Sequence, residues 1–255
     1  MKGVLVYMKK LLKMVFSFIF TILMLSSFSI ISVSASELED SSDEDISLLY
    51  TEEEMRQYEE EAYQKIQEDI DNIHDEIEKY QNSHPQPRGY SYDGFYYLDG
   101  DIIITHSTSS SGLIGHAGIV VGDKVLEIHP SYNNGVPKAI SFSTWFNRYP
   151  TAMVVRYDGD REIPVDAAWY GKTFYIDGEG KDNKYSLASV ITDKEKDYCS
   201  SLVWKCFYYG ADFEFEIFRD STSGGRWGRP NMIAPYDFIT YRDHNGFVAV
   251  HSVDW

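Results

Sequence analysis

Apolar residues between positions 51 and 80 recur at spacings of three and four, which places them on one face of a helix. The pattern predicts one long amphipathic helix, with Thr51 and Glu54 forming a capping box at its start. Such a helix is either a docking arm or dimerising coiled coil, or an element that packs its stripe on the main domain. The stripe consists of Met55, Tyr58, Ala62, Ile66, Ile70, Ile73, Ile77 and Tyr80.

A shorter, alternating pattern begins near position 96 and is typical of β-strands. Residues 96–106 predict a turn at Asp99-Gly100 followed by a β-branched strand. Residues 116–130 predict a hairpin, because two apolar runs flank Gly122-Asp123, a pair suited to a two-residue turn.

The register of this hairpin gathers polar side chains on one face. With a two-residue turn, position 121 pairs with 124 and position 116 with 129. His129 then lies across from His116 at about 5 Å between Cβ atoms, and Glu127 lies on the diagonal at about 7–8 Å. A histidine beside an acid or a second histidine can act as a base. The alternative is a solvent-facing hairpin with ordinary polar residues on its wet side.

Residues 192–210 predict the approach to a second helix, the helix itself and its stop. Thr192 or Asp197 could cap its start, and Gly210 fits the position that follows a helix end. Its apolar residues at spacings of three and four indicate a buried face made of Leu202, Val203, Cys206 and Phe207.

Both cysteines of the chain fall in this helix. The helical rise separates Cys199 and Cys206 by about 10 Å, which is too far for a disulfide. No CxxC pair indicates a metal site, and no cofactor is expected. Cys206 is interpreted as a buried apolar residue. Cys199 lies at the helix start, where the helix dipole and free N–H groups stabilise a thiolate, so it is either a nucleophile or another buried thiol.

The first 35 residues indicate export. Lys9, Lys10 and Lys13 precede an apolar run, and Val33-Ser34-Ala35 provides small residues for cleavage. An uncleaved anchor is the alternative, because the run approaches the roughly 20 residues that span a bilayer. Removal of residues 1–35 takes away four lysines and no acid, and changes the net charge from −17 to −21. A chain this acidic is not expected to bind nucleic acid through its phosphates.

Composition also divides the mature chain. Residues 36–81 form an acidic helical arm, residues 82–94 form a linker with proline and glycine, and residues 95–255 form one domain with a core of its own.

Several stretches together resemble the papain-like NlpC-type cell-wall hydrolase superfamily, in its circularly permuted YiiX/YycO-like branch. In that branch the histidine hairpin precedes the cysteine helix, as it does here. The resemblance implies an α+β, papain-like fold of the circularly permuted NlpC type: an antiparallel sheet or half-barrel packed against a Cys-bearing helix, and preceded here by the long N-terminal helix. The matching stretches are GDIIIT (100–105), GHAGIVVGDKVLEIHP (115–130), NNGVPKAISFSTWFNRYPTAMVVRY (133–157), YCSSLVWKCFYY (198–209) and, more weakly, IAPYDFITY (233–241).

The resemblance also implies roles for individual residues. Cys199 matches the nucleophile, His116 matches the general base, and Glu127 matches the residue that orients the imidazole. The strand register favours His129 for this third role, so His129 remains the alternative.

The sequence therefore predicts an exported cysteine hydrolase, secreted or bound to the cell envelope, that cleaves amide or peptide bonds, with cell-wall peptides as the implied substrates. Tyr198 and Ser111 are the predicted substrate-binding residues. A second reading is a lipid-directed acyl hydrolase or acyltransferase of the same fold. A third is a non-catalytic secreted binding module whose helix over 51–80 docks a partner or a second copy.

Overall fold

The computed structural model describes residues 52–84, 89–108, 115–187, 189–217 and 232–255. In this part of the chain the α-helices are α1 (Glu52–Glu68), α2 (Ile70–Ser83), α3 (Phe142–Arg148), α4 (Glu162–Tyr170), α5 (Cys199–Ala211) and α6 (Asp237–Thr240). The strands are β1 (Tyr90–Tyr92), β2 (Phe95–Tyr97), β3 (Ile102–Thr105), β4 (His116–Val121), β5 (Lys124–Glu127), β6 (Lys138–Ser141), β7 (Ala152–Tyr157), β8 (Lys184–Tyr185), β9 (Lys196–Asp197) and β10 (Phe247–Val253).

Six strands form one antiparallel sheet in the order β10-β7-β3-β4-β5-β6. The predicted hairpin lies at its centre, and its register is confirmed because Val121 pairs with Lys124. Gly122 takes the left-handed conformation that the two-residue turn requires, with φ of 60°. Its N–H donates to Asp99 at 2.6 Å, which ties the hairpin tip to the turn before β3. The described chain is thus of mixed α+β class.

Both faces of this sheet are covered. Ala117, Ile119 and Leu126 pack into the larger core together with the apolar side of α5, while Val120 and Val125 pack into a second core with Trp145 of α3. The prediction that the polar side of the hairpin could face solvent is therefore wrong. His116, Glu127 and His129 are all buried between the sheet and neighbouring chain.

Helix α5 packs on β4 and α4, and its predicted apolar face is confirmed by the burial of Leu202, Val203, Cys206 and Phe207. The prediction that Gly210 follows the helix end is wrong. The helix continues to Ala211, and Asp212 takes the left-handed conformation with φ of 51°. Gly210 instead faces α4, where an added Cβ would lie 2.6 Å from the carbonyl oxygen of Asp166 and 2.8 Å from the Cβ of Tyr170. The glycine allows the two helices to approach each other closely.

Substitution of Gly210 with alanine is expected to lower the free energy of unfolding by about 1–3 kcal/mol, because the methyl group would push α4 and α5 apart. Chemical denaturation monitored by circular dichroism measures this change. Ala211→Ser in the same helix is the control and is expected to change stability by less than about 0.5 kcal/mol. A Gly210→Ala protein as stable as the parent would show that the helices can separate without cost.

The predicted single helix over 51–80 is two helices. Asp69 interrupts it with φ of −98° and ψ of 3°, and accepts a side-chain hydrogen bond from Asn72 at 2.7 Å. Such an aspartate bonds locally and competes with the helical backbone. Among the stripe residues whose side chains the structure describes, four lie in the main core: Ala62, Ile66, Ile73 and Ile77. This is the arrangement expected when the stripe packs on the main domain.

Polar contacts also hold the second helix of this pair to the sheet. Glu76 accepts two hydrogen bonds from Arg242, at 2.9 and 2.8 Å, and one from the backbone N–H of Ala249 in β10 at 2.7 Å. The described residues from 52 onward belong to one compact unit. The division into an arm over 36–81 and a domain over 95–255 stays a prediction.

Some predictions fall outside the described residues. These are the signal peptide over 1–35, the capping residue Thr51, the middle of the linker at 85–88 and the substrate-binding Ser111. Within the residues that the structure does describe, none of the helices is long and apolar enough to cross a membrane.

Candidate active site

Cys199 is the first residue of α5, as predicted. Tyr198 precedes it in extended conformation, and its backbone N–H donates to the hydroxyl of Ser201 at 2.8 Å, which fixes the first turn. The N–H groups of a first helical turn have no intrahelical partners and carry the positive end of the helix dipole. The sulfur therefore lies where the backbone favours negative charge.

Asp197 does not cap this helix with its side chain, contrary to one sequence expectation. Its buried carboxylate accepts hydrogen bonds from Lys205 at 2.7 Å, Asn183 at 2.7 Å and Tyr175 at 3.0 Å. Burial raises the pKa of Asp197, and these partners oppose that rise. The bonds fix strand β9 immediately before Cys199, so the start of α5 is held from both sides.

His116, at the start of β4, connects Cys199 to Glu127. Its Nε2 lies 2.8 Å from Oε2 of Glu127, and the ring lies close enough to the Cys199 side chain for Cys199 to raise the pKa of the imidazole. Because Nε2 is engaged with the carboxylate, Nδ1 is the nitrogen available to the thiol. Cys199 and His116 are each 1% exposed and Glu127 is 0% exposed. The structure thus brings together the three residues predicted to form the site.

The surroundings of His116 favour its protonated form. Burial alone lowers the pKa of this imidazole, but hydrogen bonds with Cys199 and Glu127, together with the charges of the same two groups, outweigh burial and raise the pKa to about 9. The imidazolium form is therefore present below about pH 9 and is lost above it.

Glu127 has two further partners that the sequence analysis missed. Nη1 of Arg148 donates to Oε1 of Glu127 at 2.6 Å, and the hydroxyl of Tyr149 donates to Oε2 at 3.2 Å. Both residues lie at the end of α3. This helix covers the side of the hairpin that carries His116 and Glu127, which the sequence analysis considered as a solvent-facing surface. The WFNRY segment at 145–149 lies in a stretch that carries the resemblance, but its spacing does not indicate this contact.

His129 also lies beside His116, which it contacts through its ring. Its ring meets His116 edge-on, with 5.2 Å between ring centroids, and its Nδ1 accepts the backbone N–H of Ser131 at 3.1 Å. Burial and the charge of His116 lower the pKa of His129 to about 4, so this ring is neutral at pH 7. Glu127, and not His129, makes the hydrogen bond that orients His116 in this structure.

Aromatic rings fix the imidazole plane. Trp145 stacks on His116 with 5.3 Å between ring centroids and 21° between planes, and the Tyr149 ring lies 4.9 Å away. Gly118 makes room for this tryptophan, since an added Cβ would lie 2.9 Å from its ring. Trp145 was likewise missed, because an aromatic residue in an amphipathic helix reads as core.

The other predicted residues occupy different places. Tyr198, predicted to flank the substrate, is fully buried, and its hydroxyl accepts the backbone N–H of Ile233 at 3.1 Å. It anchors residues 232–234 on α5 and offers no open wall to a ligand. Cys206 lies in the core, where burial raises the pKa of its thiol well above the usual value. The structure leaves both cysteines free and unlike each other in surroundings.

Cys199 belongs to a small buried cluster with Tyr198, Met232 and Ala234, against which Tyr185 and Leu187 pack. Among the described residues, no cluster of three or more histidine, cysteine, aspartate or glutamate side chains is arranged to hold a metal ion.

Comparison with known proteins gives two similarities, while no family model matches the chain. The sequence is 32% identical over 133 residues to an uncharacterized 30.3 kDa protein of Bacillus thuringiensis, covering 49% of this chain and 48% of that one. The chain thus spans about half the length of this curated relative. Among solved structures, the metalloprotein YiiX from Escherichia coli O157:H7 (DUF1105) is similar over 46% of this chain and 67% of its own, with a TM-score of 0.32 and 18% identity.

Proposed function

We propose that the protein is an exported cysteine hydrolase that cleaves amide or peptide bonds, with cell-wall peptides as its substrate class. One observation carries the proposal: a buried cysteine on the first turn of a helix lies beside a buried histidine whose pKa it raises, and a buried glutamate holds Nε2 of that histidine at 2.8 Å. A nucleophile, a base and a residue that orients the base are the parts that acyl transfer requires.

The geometry supports a stepwise mechanism. His116 takes the proton of the Cys199 thiol, and the thiolate attacks the carbonyl carbon of the substrate. The backbone N–H of Cys199 donates to the oxyanion that forms. The imidazolium then returns its proton to the leaving amine as the acyl–sulfur bond is completed and the C–N bond breaks. In the second half, His116 takes a proton from water, hydroxide attacks the thioester, and the acid product leaves as the thiol is restored.

Glu127 supports both halves of this cycle without exchanging protons itself. Its carboxylate holds the proton of Nε2, so Nδ1 is the nitrogen that exchanges protons with sulfur, leaving group and water. It also stabilises the imidazolium whenever that form is present.

The sequence supports export and disfavours nucleic acid as a substrate. The basic and apolar pattern of residues 1–35 is that of a secretory signal peptide. The net charge of −21 after its removal disfavours nucleic acid as a substrate.

Alkylation of Cys199 by iodoacetamide tests the proposal before any substrate is known. We expect Cys199 in the mature protein to be alkylated at pH 6 at least about tenfold faster than in His116→Ala, because a thiol with the ordinary pKa near 8.5 is almost wholly protonated there. Mass spectrometry of tryptic peptides separates it from Cys206, which is the internal control and is expected to react only after unfolding.

Equal alkylation rates in the parent and in His116→Ala, with both proteins folded, would contradict the proposal and favour the non-catalytic binding module. If the thiolate is confirmed, a panel of wall peptides and fatty-acyl esters follows. Release of fatty acid without peptide cleavage would assign the same site to lipid-directed acyl hydrolysis.

A further inference from the structure

The two oxygens of the Glu127 carboxylate have separate partners. Oε2 faces His116 at 2.8 Å and Tyr149 at 3.2 Å, while Oε1 receives Nη1 of Arg148 at 2.6 Å. A carboxylate held at both oxygens cannot rotate about its terminal bond without losing a charge-assisted hydrogen bond. The direction in which Oε2 points is therefore fixed from the far side by Arg148.

The charge balance of the cluster depends on the same residue. Glu127 is fully buried, and an ionised carboxylate in that position is unfavourable unless a cation and hydrogen bonds compensate it. Arg148 carries a permanent positive charge, whereas His116 is charged for only part of the catalytic cycle. When His116 gives its proton to a leaving group, the guanidinium is the cation that remains beside Glu127.

Arg148 is itself held in place. Its guanidinium carbon lies 4.3 Å from the centre of the Tyr132 ring, a cation–π distance, and its side chain is 22% exposed. The guanidinium thus connects the buried carboxylate to the protein surface, and small solutes can reach its position.

We propose that Arg148 is a positioning residue of the Cys199–His116 site: it balances the charge of the buried Glu127 carboxylate and holds Oε2 toward His116 throughout the reaction. This inference rests on the proposed function and adds a residue to it. The alternative is an ion pair that only joins α3 to β5 and contributes stability without affecting the imidazole.

The titration of His116 distinguishes these roles. The titratable or charged groups that face it are Glu127 from β5, Cys199 from α5, His129 after β5, and Tyr149 after α3 with Arg148 behind Glu127. If Arg148 only partly neutralised the charge of Glu127, its removal would strengthen the attraction of the carboxylate for the imidazolium. The pH midpoint of the His116 titration would then rise. If Arg148 positions Glu127, its removal weakens the His116–Glu127 hydrogen bond and lowers that midpoint.

The test compares Arg148→Met and Arg148→Lys with the parent protein. Histidine ring NMR signals are followed from pH 5 to 10, with His116 assigned from its absence in His116→Ala, and iodoacetamide alkylation of Cys199 is measured at pH 6. We expect the His116 midpoint in Arg148→Met to fall by about one pH unit or more and alkylation to slow about tenfold. Arg148→Lys keeps the charge without the planar fork and is expected to lie between these two proteins.

Chemical rescue provides a second measurement that does not depend on comparing stabilities. Guanidinium chloride at tens of millimolar is added to Arg148→Ala, with sodium chloride at the same concentration as the control. We expect guanidinium, and not sodium, to recover part of the alkylation rate, because the vacated position is open to solvent. Thermal unfolding with and without guanidinium is recorded in parallel.

An unchanged or raised His116 midpoint and an unchanged alkylation rate in Arg148→Met, accompanied only by lower thermal stability, would overturn the positioning role. That outcome differs from failure of the proposed function. If His116→Ala alkylates as fast as the parent, the proposed function fails whatever Arg148 does. If His116→Ala is slow and Arg148→Met is fast, only the role of Arg148 fails.

Discussion

Replacement of Cys199 with alanine is expected to abolish hydrolysis, with a loss of at least about 10³-fold in kcat/KM on any substrate that the parent protein cleaves. The reason is chemical: alanine has no atom that can form the acyl–enzyme bond. Structural damage should be small, since Cys199 packs in a small cluster at the start of α5, and the hydrogen bond that fixes the first turn joins Tyr198 to Ser201 without the sulfur.

Cys206→Ala is the matched control for this substitution. Both positions lie in the same helix and are buried, and both changes remove one sulfur atom. Cys206 lies in the core, so its replacement is expected to reduce stability by about 1 kcal/mol and to leave kcat/KM within about twofold. Comparable losses of activity in two folded variants would contradict a nucleophilic role for Cys199, and melting curves identify any variant that does not fold.

The features that the sequence predicted well are local ones. The alternation of residues 116–130 and the Gly122-Asp123 turn determine the hairpin register, because a slip of one position would turn the apolar side chains of Ala117 and Ile119 away from the core. The start of α5 follows from a polar approach and an apolar face of helical period. Cys199 and His116 could be singled out because each lies at the beginning of such an element.

The partners of Glu127 could not be predicted in this way, because they depend on tertiary structure. Helix α3 docks on the polar side of the hairpin, and its local pattern does not reveal which surface it covers. Once docked, it places Trp145, Arg148 and Tyr149 around one buried carboxylate and one imidazole. The same docking buries the face that could otherwise have met solvent.

The choice between Glu127 and His129 illustrates a limit of register arguments. Ideal strand geometry makes the directly opposite residue the nearer partner. His129 is indeed next to His116, but as a ring in edge-on contact, while the longer glutamate side chain reaches Nε2 from the diagonal. Distances between Cβ atoms describe neighbours, whereas the length of a side chain and its other hydrogen bonds determine which neighbour makes the contact.

Substitution of Glu127 with glutamine tests whether Glu127 or His129 is the residue that orients His116. The amide has nearly the same shape but no charge, and its NH₂ group can donate to Nε2, which would leave the proton of neutral His116 on Nδ1, facing sulfur. A base that already carries its proton on that side cannot accept another, so kcat/KM is expected to fall by about 10²-fold or more. Thermal unfolding checks that the protein with an uncompensated Arg148 remains folded.

The pH dependence of kcat/KM provides a second test of the Glu127→Gln protein, and the pKa of His116 determines the direction of the expected change. In the parent protein, kcat/KM should decline as pH rises through about 9, where His116 loses the proton that it must give to the leaving group. Glu127→Gln removes a hydrogen bond and a negative charge that raise the pKa of His116, while burial, which lowers it, remains. The decline is therefore expected to move to lower pH by about 1 to 3 pH units.

His129→Phe is the control that decides between the two candidate orienting residues. His129 is neutral at pH 7, and its pKa of about 4 lies well below the range in which His116 titrates. Phenylalanine preserves the ring contact and should leave the alkaline decline near pH 9. A shift in His129→Phe as large as that in Glu127→Gln would assign the orienting role to the histidine. A shift in Glu127→Gln alone identifies the buried carboxylate as the group that keeps the imidazole protonated and correctly oriented for acyl transfer.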